Sequence, residues 1–357
     1  MKVGILDIDS QMKRDNRGEK RKYPNIACGK IYGFHKSRGD VVVYPWKDTP
    51  VDRLYISTIF TNSRATIEKN LWVYELFADE VIIGGTGWDD YSVKPWKISR
   101  LPPEIEAFDE PHWTYEMYDL DYGIGFSTRG CHVGCSFCVV PKKEGLVEYR
   151  DSTVEKLLNP RSKHLVLMNN NSFAHHDFME DIEQIKHYNL SIHWDQANDI
   201  TLVTPEIADA LRSVNYRSFD GRKKELFFAF DLMVKRKRDK TGEMVSYDML
   251  KVVPEKVRML KESGIRPSHL KFYMLIGFNT TEEEDLARVE CLKSLGCEIY
   301  PMLYRDLTGK IGVDATGKPQ SFHVRPMRDW IHTGLYRKQS LHDFDRYWQR
   351  WEEVALK

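Results

Sequence analysis

The sequence predicts an α/β protein: a doubly wound domain over residues 1–95, then a partial (βα)6 barrel over 121–305, then a helical extension over 306–357. Three observations predict it. Short apolar runs alternate with helical periodicities over most of the chain. An aperiodic stretch rich in Trp, Pro, Asp and Glu interrupts that alternation at 96–120. About six strand and helix repeats follow the break.

In the first domain, Val3 to Ile8 reads as a strand, Asn25 to Ser37 as a helix stopped by Gly39-Asp40, and Val41 to Tyr44 as the next strand. Leu54 to Phe60 continues as a strand, Arg64 to Phe77 as a helix, and Glu80 to Gly85 as a strand ending in glycines. Such alternation implies a parallel sheet with helices on its faces. The Leu101-Pro102-Pro103 break marks the following segment as a linker.

The second domain opens on a strand near Gly123 to Ser127. Further strands are expected at Leu165 to Met168, Ser191 to Trp194, Leu226 to Phe230, Lys271 to Ile276 and Glu298 to Leu303. Helices are expected at Phe178 to His187, Pro205 to Val214, Pro254 to Ser263 and Glu282 to Leu295. Six units are too few for a closed eight-stranded barrel and enough for an open one, with ligands expected at the carboxyl ends of the strands. The tail from about Val324, with its Trp and Tyr among Arg and His, reads as helical and suited to lid the barrel mouth. No repeat of short period stands out.

Composition narrows the function classes. The 357 residues carry 53 basic and 53 acidic side chains, so no global field favours nucleic acid, an anionic membrane or an acidic substrate. Asp7 and Asp9 break the first apolar run, unlike a secretory signal, and no stretch approaches the ~20 apolar residues of a membrane span. A cytoplasmic protein with no membrane partner is expected. Cys28, Cys291 and Cys297 are scattered, while Cys131, Cys135 and Cys138 fall within eight positions, which is not a secreted disulfide framework.

Those three cysteines share one loop, Gly125-Phe-Ser-Thr-Arg-Gly-Cys131-His-Val-Gly-Cys135-Ser-Phe-Cys138, behind the first barrel strand. Soft thiolates select zinc or iron-sulfur clusters. Either centre, fully ligated by protein, takes four ligands, and the loop offers three; a cluster held here keeps one iron open. The zinc alternative needs a His as fourth ligand, with the adjacent His132 an awkward candidate.

The Cys-x3-Cys-x2-Cys spacing, with Phe137 before the third cysteine, resembles the signature of the radical S-adenosylmethionine superfamily. The resemblance implies a 4Fe-4S cluster on Cys131, Cys135 and Cys138 that binds S-adenosylmethionine at its open iron and cleaves it reductively. The product is methionine and a 5′-deoxyadenosyl radical, which abstracts hydrogen from a substrate. It further implies an electron donor such as flavodoxin or ferredoxin, and leaves the substrate open as a peptide, nucleic acid or metabolite. A non-catalytic iron-sulfur or zinc module is the rival from outside catalysis.

Other residues follow from the same resemblance. Asn169, Asn170 and Asn171 stand where relatives hold the amino group of S-adenosylmethionine, and their amide carbonyls are able to accept from an ammonium; an Asn-rich turn explains them equally. Trp194-Asp-Gln196-Ala-Asn-Asp199-Ile-Thr201 resembles a cofactor-lining stretch in which Gln196 and Asp199 take part and Thr201 replaces an Arg. Asp231, after the fourth strand, is placed to point a carboxylate into the mouth, unless it only caps that strand. Gly277 resembles the strand-end glycine that packs on adenine, while Thr280 or Thr281 reads as the N-cap of the next helix.

The N-terminal domain resembles the Rossmann-like, cobalamin-binding module of one class of that superfamily, carried by Pro24 to Lys30, Ser57 to Ile59 and Gly84-Gly85-Thr86-Gly87. Cobalamin is admitted as a further cofactor on this ground, with C-methylation as the outcome. The axial His signature has no match in Asp7-Ile-Asp9-Ser-Gln-Met-Lys13, so a scaffold that binds substrate or partner is the other reading. His35 reads as a packing residue. The basic run Val234 to Lys240 reads as a solvated loop able to contact phosphates, and His175 and His176 as proton-transfer candidates.

Overall fold

The computed structural model describes residues 1–9, 23–92, 94–238, 243–306 and 308–355. The chain forms two compact units, one of residues 1–125 with 152–165, the other of 126–151 with 166–357.

The first unit is built on four parallel strands, β1 (Lys2–Asp7), β2 (Val41–Val43), β3 (Val51–Ser57) and β4 (Ala78–Gly84), in the order β2-β1-β3-β4. The chain order therefore reverses beside β1, as in doubly wound sheets. The helix Ile26–Ser37 starts at Asn25, whose side chain accepts from the Cys28 amide. The helix Arg64–Phe77 lays Ile67 and Tyr74 on a core of Leu6, Ile8, Trp46, Val51, Leu54 and Ile56. Each such side chain contributes roughly 1.5–3 kcal/mol by leaving water. The segment expected as a linker is ordered into two short helices, Pro103–Glu106 and His112–Tyr118, which pack on the first helix. Their anchors are Tyr118 Oη donating to Asp7 at 2.6 Å and Thr114 seated against Gly29.

In the second unit the strands Leu226–Ala229, Leu270–Ile276 and Glu298–Leu303 form a parallel sheet in that order. Side chains alternate across it. Phe228, Phe272 and Met274 are buried on one face, and Phe227, Tyr273 and Tyr300 stack as a ladder on the other, with ring centroids 4.9 and 5.1 Å apart. Ser191–Trp194 pairs in parallel with Asn215–Tyr216, and the bridge Asn198 to Phe228 joins this pair to the three-stranded sheet.

The helix Glu282–Ser294 begins with a reciprocal cap, Thr281 Oγ1 accepting from the Glu284 amide and Glu284 accepting from the Thr281 amide. The helix expected from Pro254 starts five residues earlier, at Met249, with Asp248 as its cap and Pro254 inside it. The tail is helical at Val324–His332 and Asp345–Ala355, and it is tied down on the helix Glu282–Ser294 by His323 to Asp285 and by His342 and Tyr347 to Glu282.

The basic run corrects the sequence reading. Val234–Arg238 is a strand paired antiparallel with Met244–Asp248, and Lys235 and Lys237 turn inward. Asp239 and Lys240 lie outside the described residues.

Candidate functional site

The cysteine loop leaves the strand Thr128–Arg129 and returns through Tyr149–Arg150, which pairs with it. Gly130 has φ +82°, and a Cβ there would stand 2.2 Å from the Val147 carbonyl oxygen, so the loop closes only on glycine. Glu144 clamps its base, accepting from Arg129, from the Gly130 amide at 3.1 Å and from Asn170 Nδ2 at 2.7 Å. The Cys138 amide turns back to the Cys135 carbonyl at 3.0 Å.

All three thiols are half-buried and free. Burial pushes Cys131 up to about 11, Cys135 to about 12, and Cys138 above its ordinary range. A neutral thiol is the resting state of such a site, and a bound cation is what makes it a thiolate. Cys138 Sγ already accepts from the Val140 amide at 3.4 Å, a contact that favours the thiolate.

Among the described residues, only His175, His176 and Asp177 bring three metal-binding atoms within 4.8 Å of one another. The three cysteines stand wider than that. Sulfurs on a single tetrahedral zinc at about 2.3 Å from the metal lie roughly 3.8 Å apart, whereas sulfurs bound to different irons of a cluster are separated by the cluster itself. His132 turns to Glu148, which takes both its amide at 2.7 Å and its Nδ1 at 2.6 Å.

A small, partly open pocket adjoins Cys135, walled by Phe137, Ala229, Asp231, Leu232, Lys235 and Met249. Phe137 sits edge-on to Phe278 at 5.3 Å, and Phe278 to Tyr304 at 4.6 Å. Asp231 accepts from the Leu275 amide at 3.2 Å, and burial raises its carboxyl above the ordinary range. The fully buried Arg288 holds the strand ends beneath it by donating to the carbonyls of Phe230, Asp231 and Leu275 and to Asp285.

The sequence-selected polar residues separate into different roles. Asn169 is spent inside the chain, its Oδ1 on the amides of Ser127 and Thr128 and its Nδ2 on the hydroxyls of Ser127 and Ser172. Asn170 serves Glu144. Asn171 is the exception: its Oδ1 accepts from the Asp199 amide at 3.3 Å, and its buried Nδ2 has no partner. What it offers a ligand is therefore a donor, not the acceptor expected for an ammonium. Gln196 is exposed and donates to its neighbour Asp195.

Asp199 is buried between Lys235 Nζ at 2.8 Å and Lys237 Nζ at 3.0 Å. Burial opposes its charge, and the two lysines outweigh burial and hold the carboxyl well below the usual carboxylate range. Lys237 also donates to Thr201 Oγ1. Gly277, with φ +69°, faces Val324 of the tail: a Cβ there would lie 2.4 Å from Val324 Cγ2, and its amide donates to Asp285.

In the first unit, Asn25 donates to Ser57 at 2.9 Å. A Cβ on Gly85 would lie 2.2 Å from the Thr58 carbonyl oxygen, and one on Gly87 2.5 Å from Phe60 backbone atoms. Asp9 accepts from the Ile59 and Phe60 amides and the Ser63 hydroxyl. Among the described residues, these glycines and polar groups lie against atoms of the chain itself. Ser10 to Lys13 lie outside the described residues.

Sequence reasoning missed Lys235 and Lys237 as inward groups, and Arg288 entirely. Val234-Lys-Arg-Lys-Arg238 has no apolar and polar alternation, so the sequence carries no signal for the first two.

No family model and no curated protein matches the chain. Among solved structures it is similar to Streptococcus suis SuiB bound to S-adenosylmethionine, with a TM-score of 0.41 and 9% identity over 78% of this chain and 59% of that one. SuiB bound to precursor peptide SuiA gives 0.39 and 8% over 78% and 60%. Dihydropteroate synthase from Xanthomonas albilineans, in complex with 7,8-dihydropteroate, gives 0.25 and 11% over 100% and 94%. The chain thus spans less than two thirds of SuiB. No helix among the described residues is long and apolar enough to cross a membrane.

Proposed function

We propose that the chain is a radical S-adenosylmethionine enzyme in which Cys131, Cys135 and Cys138 hold a 4Fe-4S cluster with one iron open. The observation that carries this reading is the placement of three free thiols on one loop, spread wider than a single ion requires, with Cys135 at the wall of a cavity. Among the described residues, no histidine brings a ring nitrogen into one metal-binding group with the three cysteines.

When bound, the cluster supplies the electron that splits S-adenosylmethionine into methionine and a 5′-deoxyadenosyl radical. The chain's own residues bind and shield. Asp231 and Lys235 present opposite charges in the cavity, complementary to the amino and carboxylate groups of the methionine moiety. Phe137, Leu232 and Met249 line it with apolar surface that shields reactive intermediates from side reactions. Asn171 Nδ2 offers a further donor. The substrate is a peptide, nucleic acid or metabolite with an abstractable hydrogen, and the electron comes from a flavodoxin- or ferredoxin-type donor.

The test is anaerobic reconstitution followed by dithionite and S-adenosylmethionine. Formation of 5′-deoxyadenosine, abolished in Cys135→Ala, is the expected result. A cluster that yields no such product supports the non-catalytic module instead.

A further inference from the structure

The hairpin of Val234–Arg238 and Met244–Asp248 is inserted between the strand Leu226–Ala229 and the helix Met249–Glu262. Alternation puts Lys235 and Lys237 on one face, and both ammonium groups meet the single buried carboxylate of Asp199. The two lysines then differ. Lys237 is used up on Asp199 and Thr201. Lys235 also lines the cavity that Cys135, Phe137 and Asp231 line.

Burial works against a charge on Lys235, and Asp199 leads the contacts that outweigh it, so the ammonium is held above the ordinary lysine range. Adding an electron to an iron-sulfur core adds negative charge in a place of low dielectric, where a fixed cation is felt far more than in water.

Resting on the radical reading above, we propose that Lys235 compensates the charge of the cluster held by the three cysteines and raises its reduction potential. The step is the transfer of one electron from an external reductant to the core. The reductant is oxidised, no bond in the chain forms or breaks, and the added charge is met by the fixed ammonium without uptake of a proton.

The experiment is an anaerobic dithionite titration of the reconstituted full chain, followed by electron paramagnetic resonance and run without S-adenosylmethionine so that ligand binding does not contribute. Lys235→Gln is expected to titrate at a more negative potential than the native chain, Lys235→Arg close to it, and Lys237→Gln with a smaller displacement than Lys235→Gln. Lys235→Met, which keeps the aliphatic stem and removes the charge, is expected to move the potential as Lys235→Gln does, and it decides the matter if Lys235→Gln does not hold a cluster. An unmoved potential in Lys235→Gln or Lys235→Met, or an equal displacement in Lys237→Gln, overturns the inference alone. A native chain with no iron-sulfur signal overturns the reading beneath it as well.

Discussion

The two units end their parallel strands in opposite ways. In the first, the described residues at the carboxyl ends of β1, β3 and β4 satisfy one another: Asp9 takes the Ile59 and Phe60 amides, and Gly85 lies against the Thr58 carbonyl. In the second, the corresponding region keeps a cavity with Asp231 and Lys235 facing it and leaves the Asn171 amide nitrogen without a partner. A parallel sheet offers a binding edge by its topology. Whether that edge is a site depends on whether the chain has already satisfied its own polar groups there.

Four tests by substitution break or sharpen this contrast. The largest effect is expected for Cys131→Ala, Cys135→Ala or Cys138→Ala, each of which removes one of the three thiolates and should abolish bound iron and the visible absorbance of the reconstituted protein. A variant that keeps its full iron places the cluster elsewhere.

Next comes Asp199→Ala, which strands two lysines in a buried setting and is expected to cost about 3–5 kcal/mol in denaturant unfolding. The sign with pH follows from the depressed folded-state acidity of Asp199. Its contribution is present above the ordinary carboxylate range and is lost as pH falls through and below that range, so native and variant stabilities should converge in acid. A gap that persists there removes the ion pairs as its cause.

In the first unit, Gly85→Ala introduces a Cβ 2.2 Å from a backbone oxygen at φ +99°, whereas Gly39→Ala, at φ +79°, meets nothing within 4 Å. Gly39→Ala should cost only the roughly 1–2 kcal/mol of left-handed strain, and Gly85→Ala measurably more, read as the difference in unfolding midpoints. Equal losses would mean that the β3 and β4 loops are not in contact.

The smallest effect is expected for His132→Gln. Among the described residues His132 shares no metal-binding group with the cysteines, so metal content after reconstitution should not change; loss of metal would make His132 a ligand.

Much of the fold is legible because periodicity is local. The helix Arg64–Phe77 and the strands Ser191–Trp194 and Glu298–Leu303 are read to the residue. The cysteine loop is legible because three thiols within eight positions are close enough along the chain to act as one soft ligand set, whatever the rest of the fold does. What escapes the sequence depends on partners far away in it. Lys235 and Lys237 read as a charge run, since the Asp199 that turns them inward lies 38 residues before Lys237. Pro254 reads as a helix start, although the Asp248 cap lies before it. Two copies of Asp-x-Thr-Gly-Lys, from Asp306 and Asp314, pass unnoticed as a repeat; each Asp accepts from the Thr amide, the Thr hydroxyl and the Lys amide, which makes them matched tight turns. The Asn-rich turn is found, but which of its amides stays unpaired is decided by Ser127, Glu144 and Asp199.

The central claim is that three thiolates leave one metal corner open to a ligand. Electron paramagnetic resonance of the anaerobically reduced protein, recorded before and after addition of S-adenosylmethionine, tests it most directly. The account predicts a reduced 4Fe-4S signal whose shape changes on addition, as binding at one iron requires. A cluster signal indifferent to S-adenosylmethionine, or a colourless chain carrying a single zinc, contradicts it.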